Sequence, residues 1–142
     1  MIKKIFAPGN DSFTTSAGLL ALRLFFGLTM VIHHGWDKLM TFSDKSSGFP
    51  DPMHVGHAAS LALTVFAEVV AAVLLAIGLW TRFAALVLAI EMAVAFTLIQ
   101  KMAMNGMMSG EMAFMYFGAY LTLLLAGGGR FSLDMAFFGK GK

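Results

Sequence analysis

Residues 17–40 read AGLLALRLFFGLTMVIHHGWDKLM, and two properties of this stretch decide how the rest of the chain is understood. It is long and apolar enough to cross a bilayer, which takes about 20 mainly apolar residues, yet it holds Arg23, His33, His34 and Lys38 inside that length. An ionisable group near the middle of a membrane helix costs roughly 3 kcal/mol on insertion scales, so these residues require partners. Arg23, Gly27, Met30, His34 and Lys38 follow i, i+4, i+7, i+11, i+15, which a helix of about 3.6 residues per turn lays along one stripe. Leu22, Phe25, Phe26 and Val31 form the opposite, apolar stripe and are expected to face lipid.

The whole chain agrees with this stretch. Of its 142 residues 58% are hydrophobic and 13% charged, too apolar for an ordinary soluble domain, so a single integral membrane domain is expected. It has no cysteine, which excludes a disulfide relay, an iron–sulfur cluster, a CxxCH haem attachment and a thiolate zinc site. The net charge of +2 matters less than where the charges lie, and no nucleic-acid partner is expected.

Along the chain, the first sixteen residues carry Lys3 and Lys4 but no convincing cleavage site, and read as no cleaved signal peptide. Thr14, Thr15 or Ser16 is expected to cap the first span, 17–40. A polar connection holding Pro50 and Pro52 leads to a second span, 58–79, with Glu68 as its charge. Gly78 ends it, and a third span, 82–101, carries Glu91 near its middle. Asn105-Gly106 signals a turn, and a fourth span, 111–126, stops at Gly127, Gly128 and Gly129. The tail, with Phe131, Phe137 and Phe138, is placed along the interface. Alanines four apart (Ala67 and Ala71, Ala72 and Ala76, Ala85, Ala89 and Ala93) allow close approach of backbones.

The expected fold is therefore all-α, an antiparallel four-helix membrane bundle with both termini cytoplasmic. The termini side would hold Lys3, Lys4, Arg82, Arg130, Lys140 and Lys142 against Lys38, Lys45 and Lys101 opposite, a bias that keeps the richer side inside.

Counting residues from the cytoplasmic ends places Arg23, Glu68 and Glu91 in one layer under about 10 Å thick, with Tyr116 and Tyr120 on one face of the fourth helix beside them. Two readings follow. Arg23 and Glu68 form a structural ion pair, or Arg23 holds an anionic or carbonyl-bearing ligand while a carboxylate moves protons. One arginine cannot neutralise both Glu68 and Glu91, so one of the two can carry a proton. His34 and Lys38 lie nearer the outer rim, about 17 Å from Arg23 in the case of His34. His33, His54 and His57 also fall at the outer surface, where a metal or axial haem ligand set competes with simple crowding in a hairpin. Met102, Met104, Met107, Met108, Met112 and Met115 surround the second outer loop, a thioether cluster suited to Cu(I) or to plain apolar filling; the chain has 12 methionines.

RLFFGLTMVIHHGWDKL, AEVVAAVLLAIGLWTRFAAL, the NGMMSGE turn and GGGRFSLD, in that order, resemble the motifs of the DoxX family of small four-helix bacterial membrane proteins over about Leu19 to Asp134. The resemblance carries over to Arg23, Gly27, His34, Gly35, Lys38, Glu68, Gly78, Thr81, Arg82, Asn105, Gly106 and Glu111. It ends on Gly127, Gly129, Arg130, Ser132 and Asp134. The doubled histidine before Gly35 and the Met107-Met108 pair depart from the pattern. The resemblance implies membrane-bound redox work in the bacterial inner membrane: family relatives include small subunits of thiosulfate:quinone oxidoreductase. On this reading Glu68, Glu91 and Arg23 are the catalytic candidates, and His34, Lys38, Tyr116 and Tyr120 bind the ligand. A quinone is the expected cofactor, the bilayer and an oxidoreductase subunit are the expected partners, and an oligomer is compatible. The alternatives are a noncatalytic scaffold for a redox or stress-response complex, and a metal-handling protein using the outer His/Met cluster.

Overall fold

The structure is a computed structural model that describes residues 12–106 and 109–139. Lys3, Lys4, Lys140 and Lys142, which weigh in the charge bias, and Met107 and Met108 lie outside the described residues. Among those described there is no strand, and six helices follow in order: α1 (Phe13–Met40), α2 (Phe42–Lys45), α3 (His57–Ile77), α4 (Thr81–Ile99), α5 (Glu111–Ala126) and α6 (Leu133–Phe138). Helices α1, α3 and α4 are long and apolar enough to cross a membrane. Helix α5, at 16 residues, is about 24 Å long and falls short of a hydrocarbon core of about 30 Å.

Helix α1 starts four residues before the expected position because Ser12, not Thr14, Thr15 or Ser16, caps it: its hydroxyl accepts from the Thr15 N–H at 3.2 Å. The buried residues of α1 are Ser16, Leu19, Arg23, Gly27, Met30 and Gly35. They recur in steps of three or four until the last step, which is five. That step is a π-helical turn, Val31–Gly35, whose extra residue rotates Gly35 rather than His34 into the centre. The outward stripe shifts accordingly. Phe25 is exposed, but Leu22, Phe26 and Val31, expected to face lipid, are half-buried against the core. Leu24, Leu28, Ile32 and Trp36 take the exposed face with Phe25. Wide turns also interrupt α3 at Phe66–Ala71 and α4 at Ala95–Ile99.

Early α1 meets late α3 and late α1 meets mid α3, so the two helices are antiparallel. They touch through glycine. A Cβ on Gly27 would sit 2.9 Å from the Ala72 carbonyl oxygen, and one on Gly35 would sit 2.7 Å from that of Glu68. Three residues, Gly78 to Trp80, connect α3 to α4; Gly78 and Trp80 have φ of 76° and 50° there. Arg82, at the start of α4, donates to the Leu125 carbonyl at the end of α5 at 3.1 Å, which sets those two helices antiparallel as well. Ala67, Ala71, Ala72, Ala76, Ala84, Ala85 and Ala89 are buried where the helices cross, and Met30, Leu61, Leu75, Leu88 and Leu123 fill between them. Where lipid is as apolar as leucine, this close small-residue packing rather than water exclusion holds such helices together.

The long connection between α1 and α3 is ordered by one carboxylate. Asp51 accepts from the N–H groups of Val55 (3.0 Å) and Gly56 (2.7 Å) and from the Ser60 hydroxyl (2.7 Å), so it caps α3 from outside. The hydrogen bond from Ser60, followed by those from the two amides, holds the Asp51 carboxyl below its ordinary range.

Candidate functional site

The ionisable residues of the bundle sort into two groups, and the division differs from the one expected. Arg23 does not meet Glu68. It is fully buried, and its guanidinium donates to the Phe131 carbonyl at 2.8 Å and, at 3.4 Å, to that of Ala76. Helical side chains lean toward the N-terminus of their helix, so a long side chain at position 23 reaches back toward the α3–α4 turn rather than across to mid-membrane.

What it reaches is a knot of backbone. Asp134 accepts from the N–H groups of Trp80 (2.7 Å) and Thr81 (2.9 Å), capping α4, while its own N–H donates to the Gly78 carbonyl at 2.9 Å. The Asp134 carboxylate lies within electrostatic reach of Arg23 without forming a direct ion pair. The Arg130 N–H donates to Ser16 at 3.2 Å, and the Ser132 hydroxyl donates to the Gly129 carbonyl at 2.6 Å and caps α6. A Cβ on Gly78 would collide with Arg23 and Ser132. Arg23, Gly78, Thr81, Gly127, Gly129, Ser132 and Asp134 thus close one end of the bundle, and the guanidinium faces backbone on two sides instead of a ligand cavity.

Lys38 errs in the opposite sense. Placed at the outer rim by residue count, it leans inward by the same rule, and its Nζ donates to both carboxylate oxygens of Glu68, at 2.6 and 2.8 Å. The Lys38 side chain is 22% exposed and that of Glu68 only 6%. The two π-helical turns frame this pair, with Gly35 of the first resting on the Glu68 backbone of the second. The expected ion pair is therefore present with a different cation, about 22 Å along α1 from Arg23.

Around the pair stand the remaining candidates. Glu91 of α4 is half-buried, next in sequence to exposed Ile90, and within electrostatic reach of Glu68 and Lys38. Its Oε2 is out of contact with solvent and has no hydrogen-bond partner. Tyr120 of α5 is fully buried, donates to the Phe26 carbonyl at 3.3 Å and lies within electrostatic reach of both glutamates. Tyr116 meets His34 edge-on at 5.8 Å between centroids, Phe26 at 5.1 Å and Tyr120 at 5.8 Å. The cluster holds one ammonium and two carboxyl groups, with an aromatic wall on one side.

The histidines expected at a metal site are dispersed. His33, His54 and His57 are exposed, His57 Nδ1 contacts the Phe49 carbonyl at 2.6 Å, and no three His, Cys, Asp or Glu side chains converge to hold a metal among the described residues. Four histidines near one hairpin are neighbours in sequence, but His33 and His34 lie in the π-helical turn of α1, His54 in the connection and His57 at the start of α3. A groove of about 430 Å³ runs along the outer face of α1, lined by Ala17, Leu24, Phe25, Leu28 and His33 among others. It faces away from Glu68 and Glu91 and follows the apolar surface of one helix.

A family model described as DoxX matches residues 18–101, which include Lys38, Glu68 and Glu91. An uncharacterized protein of Haemophilus influenzae (strain ATCC 51907 / DSM 11121 / KW20 / Rd) is 32% identical over 120 residues, covering 78% of this chain and 84% of that protein. No solved structure matches.

Proposed function

The chain belongs to the DoxX family, and from that premise we propose that it is a four-helix protein of the bacterial inner membrane that binds a quinone-like carbonyl compound at the Lys38–Glu68–Glu91 cluster and supplies protons for its reduction. The observation that carries this reading is the Glu91 Oε2, buried and without a partner beside an ion pair already satisfied. Such a group in a membrane helix marks a functional site by default. Its place next to exposed Ile90 suits a ligand that arrives through the bilayer, and the rings of His34, Tyr116 and Phe26 suit a flat apolar ring.

Reduction of a quinone to a quinol takes two electrons and two protons. The chain has no cysteine and so no thiol or iron–sulfur path, and the electrons are assigned to a partner redox subunit. Glu91 delivers the proton at the ligand oxygen, Lys38 and Glu68 hold the charge balance around it, and Tyr116, Tyr120 and His34 supply aromatic and hydrogen-bonding contacts beside it. The proposed topology places α5 as a fourth span, shortened at the Gly127–Gly129 break, with both termini cytoplasmic.

The test is quinone binding by protein purified into lipid nanodiscs, read from the spectrum of an organic extract and from titration with added quinone. Wild type is expected to bind. Glu91→Gln is expected to weaken binding roughly tenfold or more, the loss of one hydrogen bond involving an ionisable group. Wild-type protein that neither co-purifies with nor binds a quinone refutes the proposal. A second reading, a noncatalytic scaffold for a redox complex, is favoured by the exposed Phe137 and Phe138 that the Arg23 knot presents on α6. Under that reading a Lys38→Met, Glu68→Leu double variant keeps its partner.

A further inference from the structure

The ionisable groups leading from one end of the bundle to Glu68 fall steadily in exposure. At the end carrying the α1–α3 connection, Asp37 and Lys45 form an ion pair with side chains 65% and 40% exposed. One residue along α1, Lys38 is 22% exposed and its partner Glu68 6%; Glu91, half-buried and with one unpartnered oxygen, lies within electrostatic reach of both. At the other end of the bundle the described residues show no such run of amine and carboxyl groups, the charges nearer the surface there being the guanidinium groups of Arg82 and Arg130. Arg23 and Thr81 are fully buried, Asp134 is nearly so, and the tail residues close over them. One end offers a chain of titratable groups leading from water to the site, and the other offers a plug.

From this we infer that Lys38 and Glu68 form a proton inlet to Glu91, so that the site draws protons only from the face carrying the α1–α3 connection. The inference rests on the Proposed function for what happens to the proton after Glu91, but not for the route itself. Each step conserves charge and atoms. The Lys38 ammonium passes one proton to the Glu68 carboxylate across the 2.6 Å contact, leaving an amine and a carboxylic acid. Water at the loop face reprotonates the amine. The Glu68 acid then passes its proton to the Glu91 carboxylate and returns to its original ionised form, with the ion pair restored. The groups within electrostatic reach of Glu91 that shape this transfer are Lys38 from α1, Glu68 from α3 and Tyr120 from α5, with His34 and Tyr116 in contact with each other and Tyr116 beside Tyr120. Arg82 and Lys101 stand at or beyond the two ends of α4 and take no part.

Arginine separates relay from scaffold. Lys38→Arg keeps a cation against Glu68, but a guanidinium stays protonated in proteins and cannot pass its proton on. Full-length protein is reconstituted into liposomes, its orientation read from protease access to a C-terminal tag. Glu91 is then labelled with a hydrophobic carbodiimide, which reacts with a protonated carboxyl in apolar surroundings, and adduct formation is followed by mass spectrometry while the pH is stepped on one side at a time. Labelling is expected to follow the pH on the loop face, by up to about tenfold per unit where the carboxyl is mostly ionised. Labelling that follows the opposite face, or neither face, overturns the inlet. In Lys38→Arg, shown to be folded by size exclusion, the response to a step on the loop face is expected to slow at least about tenfold; a response at the wild-type rate overturns the role of Lys38. Sided labelling in a protein that binds no quinone leaves the inlet standing and removes the quinone reading alone.

Discussion

Replacing Arg23 with methionine tests whether the most deeply buried charge of the chain serves the fold or the chemistry. Methionine keeps much of the apolar stem and removes the guanidinium. The bond from Nη2 to the Phe131 carbonyl, at 2.8 Å, is a hydrogen bond from a charged donor and is worth about 1.5–3 kcal/mol. The long contact to Ala76 adds little, but the change also removes the positive charge that compensates buried Asp134. The total is expected near 2–3 kcal/mol, since Asp134 keeps its bonds to the Trp80 and Thr81 amides and forms no direct ion pair with Arg23. Trp80 reports on the event, because its N–H is held by Asp134 in the α3–α4 turn. In a Trp36→Phe background it is the one indole left, since the chain has 2 tryptophans, and its fluorescence during denaturation follows the knot directly. Arg23→Met should lower the unfolding midpoint strongly, while the folded fraction retains quinone binding at the wild-type level. An Arg23→Met protein as stable as wild type that has lost binding refutes the assignment of Arg23 to structure.

Two further outcomes follow from named contacts. Gly35→Ala places a methyl group 2.7 Å from both the Glu68 carbonyl oxygen and Val69 Cγ2, so it should cost about 1–3 kcal/mol and part Lys38 from Glu68. A zero-length carbodiimide cross-link between those two side chains, scored by peptide mass spectrometry, should fall in yield; unchanged stability and cross-linking would show that the two turns do not bear on each other. At Asp51 the folded carboxyl titrates below its unfolded value, so its bonds stabilise the loop fully above the ordinary aspartate pKa of about 3.9 and are lost as pH falls through the depressed folded value. Hydrogen exchange at the Val55 and Gly56 amides, corrected for intrinsic rates, should therefore accelerate in wild type only on strong acidification. Asp51→Asn should show faster exchange already at neutral pH, and equal protection in the two proteins would remove Asp51 as the organiser.

Much of the architecture was legible because hydrophobic length and Gly/Pro punctuation are local signals. A helix, α5, runs from Glu111 to Ala126, though it is shorter than the three crossing-length helices, and the buried stripe through Arg23, Gly27 and Met30 follows from spacing alone. The site was less legible because depth was assigned by counting Cα positions, whereas the chemistry lies several ångströms away at the end of a side chain. Arg23 and Lys38 were displaced in opposite directions by one rule, the lean of helical side chains toward the N-terminus, and applying it would have paired Lys38 with Glu68. The π-helical turn at Val31–Gly35 has no comparable signal, since the extra residue is accommodated by tertiary packing against Glu68 and Val69. The role of Asp134 was also hidden. A buried aspartate in a tail finds its amides on a helix 53 residues earlier in the chain, a distance that periodicity does not span.

The knot also imposes an order on biogenesis. Arg23 emerges from the ribosome 108 residues before Phe131, whose carbonyl receives it. While α1, α3, α4 and α5 are made, the guanidinium stays without its final acceptor, and α4 begins without the carboxylate that caps it. A chain whose synthesis stops at Gly127 therefore has every long helix and still displays an unmet charge. Membrane proteases and chaperones that survey polar groups within helices have a ready mark for such an incomplete product, and the last residues of the knot erase it.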